Sequence, residues 1–191
     1  MRIGVLSVQG AFSEHLSKIR KLGAEGFEIR QKKDICIHFD GLILPGGEST
    51  AIRKLLSELE LLDPLKAMIQ NGLPVFGTCA GMILLAKDIS GGDLPCFGTM
   101  DITVKRNAYG RQLGSFRCSD IFAGKEIEMP FIRAPYAEHV GENVKILAYH
   151  DNKIVGVKQN NQLATAFHPE LTDDLYVYEY FFQMIEKSFR L

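Results

Sequence analysis

Residues 74–82 read Pro74-Val75-Phe76-Gly77-Thr78-Cys79-Ala80-Gly81-Met82. Val75 and Phe76 suit a short buried strand, and Met82 to Leu85 suits the helix that follows it. Between them one cysteine stands with a glycine two residues away on either side. This is the G-x-C-x-G form of a nucleophile elbow, whose serine counterpart lifts its nucleophile clear of a sheet on a sharp strand-to-helix turn. Glycine at both flanks relieves the crowding that side chains would cause in so tight a turn. The following helix points its free N–H groups and positive dipole end at the sulfur, which favours thiolate over thiol. The elbow alone leaves two readings open: an activated nucleophile, or a small buried thiol filling core.

Upstream of the elbow, strand and helix alternate. Ile3 to Val8 is apolar almost throughout, as a strand buried on both faces should be. It is too short for a signal peptide, with Gln9, Glu14 and His15 following at once. Gln9-Gly10 makes the turn. Phe12, Leu16, Ile19 and Leu22 recur at helical spacing until Gly23. Phe27 to Ile29 and Gly41 to Leu44 read as strands, the second stopped by Pro45-Gly46-Gly47. A helix from Ser49 or Thr50 carries Ile52, Leu55, Leu56 and Leu59. Asp63-Pro64 reads as an N-cap and first helical position, with Asn71-Gly72 as the stop. Such alternation predicts a parallel sheet with helices on both faces.

After Ser90-Gly91-Gly92 the texture changes to short strand candidates, at 102–105, 114–118, 126–132, 144–149, 154–158 and 163–167. These read as antiparallel additions to the sheet edge. A final helix over 175–187 carries an apolar stripe of Tyr178, Phe181, Phe182 and Ile185, read as core packing. The expected fold is a flavodoxin-like three-layer α/β domain with a mixed, mainly parallel central sheet. With 191 residues and no linker, repeat or low-complexity tract, one domain over 1–191 is expected.

Bulk properties narrow the function classes. Net charge is -1, from 22 basic and 23 acidic residues, which gives no argument for nucleic acid or an anionic membrane. No run approaches the roughly 20 apolar residues of a membrane span. The four cysteines are scattered, without C-x-x-C, and no H-E-x-x-H or zinc-type spacing occurs. Free thiols suit the cytoplasm.

A cysteine nucleophile needs a base. Of five histidines, His168 has the setting for it: it ends the apolar run Ala164-Thr165-Ala166-Phe167 and precedes Pro169-Glu170. Proline holds the residue before it extended, and residues i and i+2 of an extended segment share a side. Glu170 is thereby placed to orient His168, which gives nucleophile, base and orienter. The alternative is a strand end meeting a turn, with Glu170 solvated. The stretch Pro45-Gly46-Gly47-Glu48-Ser49-Thr50 lacks the lysine of a phosphate loop, and Glu48 puts an anion where phosphate would sit. Its glycine N–H groups suit an oxyanion hole, with Gly47 and the N–H of Ala80 as donors. A plain loop is the alternative. Lys105, Arg106, Arg111, Arg117 and Arg133 cluster in the second half and read mostly as a solvated face; Arg106 and Arg133, each beside a strand end, suit a substrate carboxylate.

With these motifs in view the chain resembles the class I, triad-type glutamine amidotransferases. Within them it is most similar to the glutaminase subunits of pyridoxal 5′-phosphate synthase. The class is carried by Gly77-Thr78-Cys79-Ala80-Gly81 with the later His168-Pro169-Glu170. The narrower family is carried by Gly4-Val5-Leu6-Ser7-Val8-Gln9-Gly10, by Gly41-Leu42-Ile43-Leu44-Pro45-Gly46-Gly47-Glu48-Ser49-Thr50, by Arg106-Asn107-Ala108-Tyr109-Gly110-Arg111-Gln112 and by Phe131-Ile132-Arg133-Ala134-Pro135. The resemblance runs end to end. It implies Cys79 as nucleophile, His168 as base then acid, and Glu170 as orienter. It implies glutamine contacts from Gly47, Glu48, Ser49, Arg106, Ile132 and Arg133. It also implies that the ammonia acceptor is a separate synthase subunit, that the two form a large hetero-oligomeric complex, and that the glutaminase itself needs no cofactor. Two rival expectations are a peptidase or deglycase on a similar elbow, and a binding protein that has lost catalysis.

Overall fold

β1 (Arg2–Leu6) is buried at every residue after Arg2, which fits a strand covered on both faces. The computed structural model describes residues 1–107 and 114–189; Ala108-Tyr109-Gly110-Arg111-Gln112, part of one motif above, lie outside the described residues. After β1 come α1 (Phe12–Lys21), β2 (Glu25–Ile29), β3 (Gly41–Leu44), α2 (Ser49–Glu58), α3 (Leu62–Gln70), β4 (Val75–Thr78) and α4 (Ala80–Leu85). The second half holds β5 (Ala86–Ile89), β6 (Met100–Lys105), β7 (Ser115–Phe122), β8 (Lys125–Ile132), β9 (Tyr136–Val140), β10 (Lys145–His150), β11 (Lys153–Gln159), β12 (Gln162–Thr165) and α5 (Tyr176–Ser188).

The main sheet runs β2-β1-β3-β4-β12-β11-β10-β7-β8. Its first five strands are mutually parallel. Their 2-1-3-4 order followed by one late strand is that of a flavodoxin-like doubly wound sheet. Antiparallel pairing begins at β11 and continues to β8. Alternation along β4 defines the layers. Phe76 packs on Tyr178 and Phe181 of α5, and also on His15 of α1. The next residue, Gly77, faces Gly81 of α4 on the opposite side.

Several sequence expectations are corrected. The strand at 163–167 is not an antiparallel addition: β12 lies parallel to β4, in the core of the sheet. β5 and β9 have no counterpart in the sequence reading. β5 follows α4 with no glycine or proline between them, and β9 buries only Ala137 fully. α3 starts before Asp63. Leu61 is its N-cap, and Leu65 N–H makes the first bond, to Leu61 O. Pro64 still sits in the first turn, where a missing N–H costs nothing.

Candidate active site

The register of β4 and β12 builds the site. Thr78 pairs with Thr165, and Cys79 N–H donates to Thr165 O at 2.7 Å. Both chains therefore leave the sheet at one level, at the carboxyl ends of the parallel strands, where open α/β sheets carry their sites. Cys79 has φ 48° and ψ -98°, a left-handed conformation for a residue with a side chain. Such backbone costs about 1–3 kcal/mol and persists only where neighbours over-determine it. Here the N–H is held by Thr165, and the carbonyl accepts from Met82 and Ile83. A Cβ at Gly77 would strike the Gly81 backbone, and one at Gly81 would strike Leu44 O. Both glycines of the elbow are therefore required by close backbone approach.

His168 is anchored by its N–H to Pro130 O at 2.8 Å. Its Nδ1 donates to Glu170 Oε1 at 2.6 Å, and both side chains are almost fully buried. The expected pairing of His168 with Glu170 is present, by a different geometry. Pro169–Leu171 form a 3-10 turn rather than an extended run, and the turn folds Glu170 back beneath the imidazole. Burial alone would push His168 down; the nearby Cys79 sulfur and the hydrogen-bonded Glu170 carboxylate outweigh it and raise the imidazole to about 10. That direction favours the imidazolium over the neutral ring. Glu170 is disfavoured as an anion by burial, but the hydrogen bond and charge of His168 hold its carboxyl below the usual value. Gly46 marks where base and nucleophile meet: a Cβ there would collide with His168 Cε1 and lie 3.5 Å from Cys79 Cβ.

These residues open onto a cavity of about 400 Å³. Gly47, Glu48, Ser49, Cys79, Arg106, Ile132, Arg133 and His168 all line it. Glu170 sits behind His168, and Ala80, only 1% exposed, starts α4 beneath the sulfur. Cys79 Sγ lies 3.8 Å from Ile132 O, where β8 ends. Arg133, at φ 43°, turns the chain away from the strand and donates its N–H to Gly114 O at 2.7 Å. Glu48 caps α2, accepting from Thr50 N and Thr50 Oγ1. Its carboxylate thus occupies the anion position of that helix, as expected from the sequence.

Residues 5–187 match the model of the SNO glutamine amidotransferase family. The chain belongs to the SNO glutamine amidotransferase family. Pyridoxal 5′-phosphate synthase subunit PdxT of Methanocorpusculum labreanum is 57% identical over 186 residues, covering 97% of this chain and 98% of the relative. The protein of the same description from Haemophilus influenzae strain PittGG is 55% identical over 185 residues, covering 95% and 96%. A crystal structure described as a glutamine amidotransferase superposes with TM-score 0.91 at 41% identity, covering 96% of this chain and 98% of the other. A more distant structure from Thermotoga maritima, described as PurLQS, shares the fold at TM-score 0.67 and 15% identity, covering 98% of each chain.

For an amidotransferase site, two features were not visible in the sequence. Arg106 is already engaged, by Asp93 at 2.7 Å and Glu48 at 3.4 Å. Gln9, read only as a turn residue, lines the cavity and accepts from Glu48 N–H at 2.9 Å. Its place after β1, beside the loop after β3, was the available signal, because that is the topological switch point of this strand order. The other buried thiol has a different setting: burial pushes Cys96 up to about 11. Among the described residues no helix is long and apolar enough to cross a membrane, and no group of side chains is arranged to hold a metal ion.

Proposed function

We propose that this chain hydrolyses L-glutamine to L-glutamate and ammonia through Cys79, His168 and Glu170. The observation that carries the reading is one cavity in which a cysteine on a strained elbow meets a buried His168–Glu170 pair. Cys79 thiolate adds to the side-chain amide carbon. The negative oxygen is received by the N–H groups of Gly47 and Ala80. Gly46 N–H is committed to Thr78 Oγ1 at 3.0 Å and takes no part. The C–N bond then breaks, and nitrogen leaves as ammonia with a proton from His168. Neutral His168 takes a proton from water, which cleaves the thioester and releases glutamate. Glu170 holds the imidazole in the required tautomer throughout.

Glu48, Ser49, the Ile132–Arg133 pair and Arg106 hold the amino-acid end of glutamine. A guanidinium on the α-carboxylate would supply a charge-assisted contact. Arg106 must exchange at least part of its Asp93–Glu48 pairing to do so, which supports a low basal rate. The relatives described as subunits of pyridoxal 5′-phosphate synthase support the destination of the ammonia: a synthase subunit that builds pyridoxal 5′-phosphate, in a large hetero-oligomeric complex in the cytoplasm. Feeding amide-¹⁵N glutamine to this chain plus its synthase subunit tests that destination. The expected result is ¹⁵N in the pyridoxal phosphate ring. Unlabelled product in the presence of rapid glutamine hydrolysis would overturn it.

A further inference from the structure

His15 is the one described histidine with no exposed surface, and it sits on α1, outside the cavity. Three polar groups meet around it. Tyr178 OH lies 2.7 Å from His15 Nδ1. Thr78 Oγ1 lies 3.3 Å from His15 Nε2. Glu170 Oε2 lies 3.7 Å from the same Nε2, and both side chains are fully buried. Thr78 Oγ1 in turn accepts from Gly46 N–H. α1 is fastened to the chain just after Glu170 by Lys18, whose Nζ donates to Thr172 O.

The protonation pattern follows from these contacts. Burial, the largest influence on His15, lowers its pKa, so the ring is neutral at pH 7. Burial raises Tyr178 well above the ordinary tyrosine value, so the phenol keeps its proton. A neutral phenol at 2.7 Å from a ring nitrogen donates to it, which leaves the single imidazole proton on Nε2. That N–H faces Thr78 Oγ1 at 3.3 Å and Glu170 Oε2, a buried carboxylate oxygen with no hydrogen-bond partner among the described residues. A buried carboxylate oxygen left without a donor is costly. At 3.7 Å the contact is longer than a formed hydrogen bond. Catalytic hydrogen bonds often stay long in the free enzyme and tighten with substrate.

We propose that His15 is a positioning residue of the glutaminase site. Its Nε2–H, fixed in that tautomer by Tyr178, holds the second oxygen of Glu170 so that the first stays on His168 Nδ1. Through Thr78 the same imidazole steadies Gly46, at the head of the Gly46–Gly47 loop. The proposal rests on Cys79, His168 and Glu170 forming the triad.

The test is turnover of glutamine by the chain with its synthase subunit, per alkylatable Cys79, so that misfolded protein is not counted. His15→Leu fills similar space without an N–H, and His15→Gln restores an N–H near the Nε2 position. His15→Leu is expected to lower kcat by about 10–100-fold, the range for groups that orient a functional ligand from behind. KM for glutamine should change less than about threefold, since His15 does not line the cavity. His15→Gln should recover most of the lost kcat, and Tyr178→Phe should fall between. Equal kcat for the Leu and Gln variants would overturn the proposal, as would full kcat in His15→Leu. A Cys79→Ala chain that still hydrolyses glutamine would instead overturn the triad reading itself.

Discussion

Glu170→Gln keeps the shape of the orienter and removes its charge. In the native protein His168 is raised from the ordinary histidine value near 6.5 to about 10, after burial has already opposed it. At 1.36 kcal/mol per tenfold, that corresponds to on the order of 5 kcal/mol favouring the imidazolium. Cys79 and Glu170 share this stabilisation. Removing the Glu170 charge withdraws part of it, on the order of a hundredfold in the proton-transfer steps. The amide can also present its NH₂ to Nδ1 and hold the wrong tautomer, an error that costs about 10⁴ in kcat in triad hydrolases. The expected loss is therefore about 10² to 10⁴ in kcat for partner-stimulated glutamine hydrolysis, with KM little changed. Stability gives a second readout. Because the folded pKa of His168 is raised, its stabilising contribution is complete below about pH 6.5, falls as pH rises, and is gone above about pH 10. Native and Glu170→Gln melting temperatures should thus converge as pH rises from about 7 towards 10. A loss of kcat below tenfold, or a stability difference that grows over that pH range, would refute the reasoning.

Two further outcomes are expected. Arg106→Ala should raise KM for glutamine about 10–100-fold, the equivalent of one charge-assisted hydrogen bond of about 1.5–3 kcal/mol, with a smaller effect on kcat; steady-state kinetics with the partner checks it. Gly81→Ala should destabilise by at least about 2 kcal/mol, because the new Cβ meets the Leu44 carbonyl rather than a movable side chain. Calorimetry should show a fall in Tm of about 4–8 °C.

What the sequence disclosed depended on how local the signal was. The elbow was legible because its pattern lies within five residues, and Gly77 is required by the Gly81 backbone; the demand on Gly81 comes from Leu44 on β3 and was not visible. The order of β1 to β4 was legible from alternation with helices. The placement of β12 was not, because parallel or antiparallel pairing is set by where the chain returns, not by the strand's own residues. His168 and Glu170 were legible as a pair since they are two residues apart, although the 3-10 turn that joins them was not. His15 stands at the other extreme: its partners are Tyr178 and Glu170, far along the chain. The apolar stripe of α5 read as pure packing, and Tyr178 does lie in it fully buried, but its hydroxyl serves His15. The engagement of Arg106 with Asp93 and Glu48 was equally hidden, since charge counts say nothing of which charges meet.

Glutamate release from glutamine, measured with and without the synthase subunit for the native chain and for Cys79→Ala, tests the central claim most directly. The account predicts release by the native chain, stimulated by the partner, and none above background from Cys79→Ala. Equal release from both chains, or no release from the native chain with its partner bound, would contradict it.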